Sequence, residues 1–499
     1  MTAAALGLPA RIAEVLAVDP TADAVEFAGR WRTWGQLAQT VDQVAALVDR
    51  PGAEVGILLR NRPASVGLLL GVLRAGGCVV TVNPGRGPER TRDDIAALDL
   101  AVLAGDPADL DEFVPAGYRA TQLAATDLGA PVDVQPGARH GQGPGAAVRP
   151  GTAVRMLTSG TTGPPKRIDL EYETLERVLV GAKHYEADRD ATVRLRRGVA
   201  VVNAPLVHVG GLFRVLQCVA DGRSFALLDR FTVDGWVDAV ERHRPATASL
   251  VPTALRMVLD ADVDPARLAS LRSVVSGTAP LDPDDADAFT ARYGVPVLIS
   301  YGATEFGGGV AGWNVADHRA FWAAKRGSVG RAHAGCRLRV VEPATGEPLG
   351  PDAEGTLEVK AAQFGDAGGW VRTTDVARID ADGFLWILGR ADEAIIRGGF
   401  TVHPDDIRVA LERHPSVRGA AVVGRADRRL GAVPVAAVEL RAGAAPVGPD
   451  DLLAHAATVL AGYEVPAEVR IVDALPRTDS AKVDLTAVRE LFDAAQAGA

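Results

Sequence analysis

The chain has 499 residues, which predicts at least two domains because single hydrophobic cores stop growing near ~250–300 residues. Apolar residues make up 47% and charged residues 23% of the chain, the balance of a globular enzyme. The formal net charge is −10 without a lysine-rich run, which argues against nucleic acid and anionic membranes as partners.

No leader and no membrane segment are predicted. The N-terminus, MTAAALGLPARIAEVL, lacks the cationic start and apolar core of a secretion signal. The longest apolar stretch, residues 66–80, carries Arg74 and several glycines and is shorter than the ~20 residues that cross a bilayer. The three cysteines lie far apart and show no metal-ligand spacing. Together these features predict a cytoplasmic protein without a structural zinc site.

The first part of the chain repeats a strand–helix–strand pattern. Residues 55–60 predict a strand, residues 63–77 a helix, and residues 78–84 a second strand. Residues 198–231 and 247–281 repeat the pattern. Apolar strands that alternate with helices are typical of parallel sheets covered on both faces. The Gly- and Pro-rich segment 131–151 is predicted to be a loop.

Hairpins and short helices replace this pattern from about residue 328. Strands are predicted at 335–350, 354–362 and 417–440, and helices at 405–415 and 449–460. The predicted fold class is therefore α/β, with a large N-terminal α/β body of several subdomains (residues 1–390) and a small mobile C-terminal α+β domain (residues 391–499).

Residues 156–166, MLTSGTTGPPK, gather hydroxyls, glycines and a lysine. Glycine lets backbone N–H groups converge on an anion, hydroxyls add donors, and a lysine adds charge, so the segment is a candidate phosphate cradle. It is not the P-loop of nucleoside triphosphatases, because Gly160 and Gly163 are three residues apart and Pro165 precedes Lys166. Taken alone, a surface turn stays open as an alternative.

This segment resembles the phosphate loop of the adenylate-forming superfamily, which includes acyl-CoA synthetases, carrier-linked adenylation domains and luciferases. Five further motifs resemble those of the superfamily and follow in its order: SGTAPL at 276–281, SYGATE at 300–305, RTTD at 372–375, GRADEAIIRGGFTVHPDDI at 389–407 and LPRTDSAK at 475–482. The resemblance covers essentially the whole chain, which is identified as a member.

The resemblance implies two half-reactions with ATP, Mg²⁺ and coenzyme A. A carboxylate attacks the α-phosphorus of ATP to give acyl-AMP and pyrophosphate, and a thiol then displaces AMP. Two anions must first meet, so positioning and positive charge carry most of the catalysis. The residues that the resemblance assigns to ATP and AMP are Thr158, Ser159, Gly160, Thr161, Thr162, Gly163, Lys166, Gly277, Thr278, Ala279, Pro280, Tyr301, Gly302, Asp375 and Arg390.

Three residues carry the implied chemistry. Lys482 bridges the acid carboxylate and the α-phosphate during adenylation, Thr304 donates to these anions, and Glu305 is the Mg²⁺ ligand. Tyr301 offers its ring to the adenine, and Asp375 accepts from the ribose hydroxyls. Only five lysines occur in the chain, and a lysine retained where arginine is preferred suggests a role for a compact, mobile charge.

The resemblance also implies that Asp392 is a hinge about which the C-terminal domain rotates, with Arg397, Gly398 and Gly399 lining the channel for coenzyme A. Four positions depart from the usual pattern without removing a charged catalytic group: Arg167, Thr374, Ala481 and Leu485. We therefore expect an active enzyme.

The implied acid pocket contains no aspartate that would pair with an amino-acid ammonium, so amino acids are disfavoured. Its small and apolar residues favour a bulky apolar acid, whether polycyclic, terpenoid, aryl or fatty, as in secondary metabolism. His208 is either a gate beside the acid or a core histidine at a helix start. The pocket residues are Val207, His208, Gly210, Gly211, Phe213, Gly307 and Gly308.

The predicted function is an acyl-CoA synthetase that acts on a small-molecule acid. No carrier domain follows Lys482, so we expect a free thiol, coenzyme A, as acceptor. The alternatives are an acyl-AMP ligase that loads a separate carrier protein, and a degenerate nucleotide-binding protein. Lys482 and Glu305 are both present, which favours an enzyme. The acid and the oligomeric state stay open.

Overall fold

The structure is a computed structural model. It describes residues 7–137, 149–158, 166–181, 193–364, 369–391, 393–397, 400–427, 429–478 and 482–493. Within these ranges, no helix is both long enough and apolar enough to cross a membrane.

The first fifteen elements run to residue 181. They are α1 (Leu8–Leu16), β1 (Asp23–Phe27), β2 (Arg30–Thr33), α2 (Trp34–Leu47), β3 (Glu54–Leu58), α3 (Pro63–Arg74), β4 (Cys78–Val82), α4 (Pro88–Leu98), β5 (Val102–Gly105), α5 (Pro107–Phe113), β6 (Thr121–Ala124), β7 (Asp133–Gln135), β8 (Thr152–Thr158), β9 (Lys166–Glu171) and α6 (Tyr172–Gly181).

The middle of the chain continues to Arg390. Its elements are β10 (Arg196–Val202), α7 (Val209–Ala220), β11 (Arg223–Leu227), α8 (Val233–His243), β12 (Thr247–Ser249), α9 (Pro252–Asp260), β13 (Ser273–Gly277), α10 (Pro283–Tyr293), β14 (Val297–Ala303), β15 (Gly308–Gly312), α11 (Val315–Phe321), β16 (Arg331–Ala332), β17 (Cys336–Val341), β18 (Glu354–Ala361), β19 (Val371–Ile379) and β20 (Leu385–Arg390).

The last part of the chain forms the remaining strands and helices. These are β21 (Ile395–Arg397), β22 (Phe400–Val402), α12 (Pro404–Glu412), β23 (Val417–Asp427), β24 (Gly431–Leu440), α13 (Pro449–Ala457), β25 (Glu468–Val472) and α14 (Leu485–Asp493).

The repeated strand–helix–strand units form parallel sheets, as predicted. The first sheet has the order β7-β6-β5-β3-β4-β8-β9, and its five inner strands are parallel. Helix α3, between β3 and β4, starts at Pro63, whose missing N–H costs nothing in a first turn. Nearly all of this helix is buried, because it is covered on both sides. The second sheet has the order β10-β11-β1-β2, with β10 and β11 parallel.

One prediction in this region is wrong. Segment 131–151 was expected to be a loop, but β7 lies within it and pairs antiparallel with β6 at the edge of the first sheet. All three of its residues are exposed, so the strand lacks the buried apolar positions that reveal a strand in a sequence. Residues 138–148 of the segment lie outside the described residues.

The third sheet positions the site, with the order β12-β13-β14-β15-β16 and parallel pairing of β12, β13 and β14. A fourth, antiparallel sheet, β17-β18-β19-β20, packs against it through a shared apolar cluster that includes Phe306, Val310 and Leu357. The hairpins predicted after residue 328 are therefore confirmed.

The chain leaves the fourth sheet after Arg390 and enters a fifth sheet at Ile395. This sheet has the order β22-β21-β24-β23, with β25 parallel to β24. Separate apolar clusters lie on its two faces. We call the fifth sheet with α12, α13 and α14 the C-terminal unit, and the first four sheets with their helices the body. The boundary between residues 390 and 391 stays a prediction.

Candidate active site

Two neighbouring parallel strands bring two of the motifs to one edge of the third sheet. β13 ends at Gly277, which lies opposite Ser300 of β14. A Cβ at Gly277 would lie 2.8 Å from the Ser300 carbonyl oxygen, so only glycine fits this close approach. Because parallel strands end at the same edge of a sheet, residues 278–280 and the Thr304–Phe306 3₁₀ turn after β14 face the same space.

The residue after Gly277 has a strained backbone. Thr278 has φ +72°, in the left-handed region that β-branched residues rarely adopt. Such strain costs roughly 1–3 kcal/mol and is often found at functional sites. Sequence reasoning assigned Thr278 to the adenine loop, but no sequence signal announced this conformation, because threonine is disfavoured there.

Tyr301 connects the third and fourth sheets at the site. Its hydroxyl donates a hydrogen bond to the Asp375 carboxylate. Burial raises the pKa of the Tyr301 phenol, and the negative charge of Asp375 raises it further. Tyr301 therefore remains a protonated donor that fixes one oxygen of Asp375. The predicted contact between its ring and the adenine stays a prediction.

Asp375 and Arg390 are cross-strand partners on β19 and β20. Arg390 Nη2 donates to Thr374 Oγ1 at 2.8 Å, and the Asp375 backbone N–H donates to Thr373 Oγ1 at 3.0 Å. Thr374, which departs from the usual glycine, therefore orients Arg390. A carboxylate accepts hydrogen bonds from hydroxyl groups, and a guanidinium donates to phosphate oxygens. The two groups side by side therefore suit a ribose phosphate.

Lys482 lies within electrostatic range of Arg390. The pKa of its ammonium is lowered, first by loss of surrounding solvent and then by the positive charge of Arg390. Lys482 is nevertheless exposed to solvent, so it is not enclosed in a core. Lys482 of the C-terminal unit and Arg390 of the body therefore lie within the range of mutual electrostatic repulsion.

The candidate phosphate loop joins two paired strands. β8 and β9 form an antiparallel hairpin in which Thr158 lies opposite Lys166, and β9 contacts the Thr304–Phe306 turn. The described end of the hairpin, at Lys166, therefore belongs to a strand that contacts the turn carrying Glu305. The predicted loop residues themselves lie outside the described residues: Ser159, Gly160, Thr161, Thr162 and Gly163.

Arg167, the first departure from the family pattern, anchors this hairpin. Its Nη1 donates to the Thr81 carbonyl oxygen at 3.0 Å, and its Nη2 donates to both carboxylate oxygens of Asp94 at 2.8 and 2.7 Å. The guanidinium therefore connects the start of β9 to the end of β4 and to α4. Glycine could not make these bonds.

Glu305 fits the role of a single magnesium ligand. It is exposed on the turn after β14, and its negative charge reaches Tyr301. Among the described residues, no group of three or more His, Cys, Asp or Glu side chains could hold a metal ion. Magnesium prefers one or two carboxylates, with water and substrate phosphates completing its shell, so one exposed carboxylate such as Glu305 is sufficient.

The predicted acid pocket begins at α7. His208 directly precedes the helix, and Val207, 7% exposed, packs in the core of the body. A Cβ at Gly210 would meet nothing within 4 Å, whereas one at Gly211 would lie 2.2 Å from the Pro205 carbonyl oxygen. Gly210 thus faces open space, while packing alone explains Gly211. Phe213 packs partly buried against the same core.

Strand β15 contacts α7 and forms the opposite side of the space that Gly210 faces. Cβ atoms at Gly307 and Gly308 would approach Thr174 and Val178 of α6, so these two glycines permit helix packing. The exposed glycine of this strand is the next one, Gly309.

Sequence reasoning missed two side chains beside this strand, those of Ser300 and His333. A Cβ at Gly309 would lie 3.0 Å from Ser300 Oγ and 3.5 Å from His333 Nε2. The His333 backbone N–H donates to the Val310 carbonyl oxygen at 2.9 Å. We call Gly210, Ser300, Gly309 and His333 the acid wall. His333 could not be found from a motif, because β16 folds back onto β15 only in three dimensions.

The predicted hinge and coenzyme A channel are described in part. Asp392, Gly398 and Gly399 lie outside the described residues. Arg397 Nη1 donates to the backbone carbonyl oxygens of Tyr463 and Val465, each at 2.8 Å. Its guanidinium thus anchors the loop after α13 to β21, and a contact with coenzyme A stays a prediction.

Four of the predicted residues therefore come together, which we call the nucleotide wall: Tyr301, Asp375, Arg390 and Lys482. The wall combines a carboxylate that accepts from the Tyr301 hydroxyl with two cations, beside the turn that carries Glu305. This arrangement is able to bind a nucleotide and to neutralise a second anion next to its phosphates.

Family models, curated relatives and solved structures resemble this chain over most of its length. The family model described as AMP-binding enzyme matches residues 12–365, and the AMP-binding enzyme C-terminal domain matches residues 407–482. Indoleacetate–CoA ligase of Aromatoleum aromaticum is 32% identical, covering 95% of this chain and 96% of that protein. Feruloyl-CoA synthase of Amycolatopsis is 31% identical, covering 95% and 97%. A solved structure, the ATP-bound chimera of RpMatB and BxBclM, has a TM-score of 0.80 at 25% identity and covers 97% and 98%.

Proposed function

This chain belongs to the family of AMP-binding enzymes, and we propose that within it the chain activates an aromatic, otherwise apolar carboxylic acid as its acyl-adenylate and transfers the acyl group to coenzyme A. The family resemblance and the mixed α/β fold class predicted from the sequence are confirmed. The chain is an AMP-forming acid–CoA ligase that uses ATP, Mg²⁺ and coenzyme A.

The observation that carries the proposal is the nucleotide wall together with the full-length match to acid–CoA ligases. Two repelling anions, a carboxylate and a phosphate, must approach each other before the acyl-adenylate forms. Lys482 and Arg390 supply positive charge at that place, and Asp375 is oriented by Tyr301 to accept hydroxyl donors. Fixed charges in a cleft stabilise developing charge without reorganisation, which lowers the barrier.

We propose Glu305 as the carboxylate that holds Mg²⁺, and Lys166 and the hairpin loop as the phosphate contacts. Bound Mg²⁺ supplies charge neutralisation on the phosphate oxygens. Thr304, on the same turn as Glu305, donates its hydroxyl toward the reacting anions. The acyl carbonyl is then open to attack by the thiol of coenzyme A, while AMP leaves.

The acid wall and the relatives support an aryl acid within the predicted class of bulky apolar acids. Three of the curated relatives are named for indoleacetate, ferulate and 4-coumarate. The open space at Gly210 gives room for a planar ring, and Ser300 Oγ with His333 Nε2 offers polar atoms for a ring substituent. We propose the cytoplasm as its location and a small-molecule acid as its partner.

A pyrophosphate-release screen tests this function. Aryl, fatty and polycyclic acids are each supplied with ATP and Mg²⁺, with and without coenzyme A. We expect the largest acid-dependent rates with arylacetic or cinnamic acids, and AMP release that requires coenzyme A. Adenylation without transfer to coenzyme A would instead support loading of a separate carrier protein, and no acid-dependent release with any acid would refute the proposal.

A further inference from the structure

Helix α9 carries two different faces. Ala254, Leu255 and Val258 are buried in the core around the third sheet. Thr253, Arg256 and Asp260 lie three and four residues apart, which places them on one side of a helix. Each of these three contacts the C-terminal unit, so we call them the docking face of α9.

The contacts of the docking face reach three separate elements of the C-terminal unit. Thr253 Oγ1 accepts from Arg477 Nη1 at 3.3 Å. Arg256 Nη2 donates to Glu412 Oε2 at 3.0 Å. Asp260 Oδ1 accepts from Arg441 Nη1 at 3.4 Å. Hydrogen bonds at three points fix both the position and the orientation of one rigid body on another.

The pair of Arg256 and Glu412 is the most buried of these contacts. Glu412 is only 8% exposed and Arg256 is 23% exposed. Arg256 also donates through Nε to Asp285 of the body. Glu412 keeps two further donors inside its own unit, Arg408 Nη1 at 2.8 Å and the Ala420 backbone N–H at 3.1 Å. Loss of Arg256 therefore leaves Glu412 with partners, and the C-terminal unit should remain folded.

The docking face is connected to the loop that carries Lys482. Arg477, which donates to Thr253, forms an isolated bridge with Val483. The Thr478 backbone N–H donates to the Lys482 carbonyl oxygen at 2.7 Å. Residues 477 and 478 thus pair with residues 482 and 483 and also contact α9, so the contacts of α9 set where the ammonium of Lys482 lies relative to Arg390.

We propose that the docking face of α9 is a positioning element for acyl-adenylate formation. It holds the C-terminal unit in the orientation in which Lys482 reaches the nucleotide wall. When these contacts are weakened, a smaller fraction of molecules has Lys482 in place, and the rate of adenylation falls in proportion to that fraction. The second half-reaction does not use this orientation. The inference rests on the proposed function, because it assigns Lys482 to the first half-reaction.

The test compares the two half-reactions in Arg256→Gln of the full chain. Pyrophosphate formation from the best acid of the screen should fall about 5–20-fold, whereas thioester formation from supplied acyl-adenylate and coenzyme A should change less than twofold. Arg267→Gln is the matched control, because Arg267 also pairs with two carboxylates, Asp238 and Glu241, but within the body. Equal losses in both half-reactions, or an equal loss in the control, would overturn the proposal.

A charge exchange separates positioning from folding. Arg441→Asp places a carboxylate against Asp260 and should lower adenylation. Adding Asp260→Arg restores an opposite pair with residue 441 and should recover part of the lost rate, but not all of it, because Arg418, 3.9 Å from Asp260, then faces a like charge. No recovery would count against the docking face.

A third readout does not depend on activity. Trypsin should cleave after Arg390 or Arg397 faster in Arg256→Gln than in Arg267→Gln, because the C-terminal unit is held less firmly. If the unchanged chain activates no acid, the proposed function fails, and the cleavage rates alone decide whether α9 holds the unit. Equal cleavage rates in both variants would refute the docking face.

Discussion

The two walls of the candidate site are built by opposite means. The nucleotide wall consists of polar side chains that hold one another: Tyr301 donates to Asp375, and Thr374 accepts from Arg390. The acid wall combines the side chains of Ser300 and His333 with two glycines, and a Cβ at Gly210 would meet nothing within 4 Å. A wall of mutual hydrogen bonds tolerates few changes, whereas the open space beside Gly210 can be filled by a single substitution. We therefore propose that the first wall serves the nucleotide chemistry and the second wall selects the acid.

Lys482→Ala is the strongest way to test the nucleotide wall. We expect adenylation to fall by roughly 10²–10³, the scale for loss of one preorganised charge partner. Thioester formation from supplied acyl-adenylate should suffer much less, since it needs no second anion at the phosphate. Single-turnover pyrophosphate and thioester assays measure the two steps. Lys325→Ala serves as control, because Lys325 pairs with Asp380 and Asp382 away from this wall.

Equal losses in both half-reactions of Lys482→Ala would contradict its assignment. The scarcity of lysine does not by itself indicate a catalytic role. Lys325 is one of only five lysines, yet its two carboxylate partners give it a structural role.

Asp375→Asn probes the same wall through a smaller effect. The amide oxygen still accepts from Tyr301, so the contact between the two sheets should survive. A charged acceptor for the ribose hydroxyls is lost, and hydrogen bonds to charged groups contribute about 1.5–3 kcal/mol. We expect kcat/KM for ATP to fall about 10–100-fold, with a much smaller change in KM for the acid. Asp352→Asn, which alters an exposed pair with Arg378, should leave both unchanged.

Gly210→Leu tests the acid wall. The new side chain would enter open space beside α7, so we expect kcat/KM for the largest acids to fall about tenfold or more, with KM for ATP unchanged. Small acids should lose less, which would shift the ranking of substrates. Gly350→Leu is the control, because a Cβ there also meets nothing within 4 Å. A uniform loss for all acids would mean that Gly210 does not face the acid.

The sequence revealed the two walls unequally, and the difference has a physical origin. The charge chemistry of the reaction dictates the residue types in the motifs that contain Asp375, Arg390 and Lys482, so these motifs could be recognised. The hydrogen bond between Tyr301 and Asp375 joins residues 74 positions apart, and no local pattern predicts it. His333 reaches Gly309 only because β16 pairs with β15.

Packing explains other residues that the sequence left ambiguous. Gly307 and Gly308 were expected to leave room for the acid, but Cβ atoms there would meet α6. A glycine needed for close approach of a helix and a glycine that opens a pocket look identical in a sequence. The repeated strand–helix–strand pattern, by contrast, was predicted correctly, since buried parallel strands require continuous apolar runs.

The pH dependence of adenylation gives the subtlest test of the nucleotide wall. Loss of solvent and the charge of Arg390 lower the pKa of Lys482, and only its protonated form neutralises the anions. Activity should therefore decline, as pH rises, at a lower pH than an ordinary lysine would dictate. The decline in kcat/KM reports the free enzyme, while kcat reports the complex. Bound phosphate and carboxylate favour the ammonium, so the decline in kcat should lie at higher pH.

The difference between the pH profiles of kcat/KM and kcat tests the nucleotide wall separately from the acid wall, because it arises from the charge of Lys482 and not from the shape of the acid pocket. In Lys482→Arg, residual adenylation should show no such decline, since a guanidinium stays protonated throughout this range. In Gly210→Leu, both profiles should keep their positions while the rates fall. A decline that persists unchanged in Lys482→Arg would assign the titration to another group, and Lys482 would then lose its role as the charge that unites the two substrates.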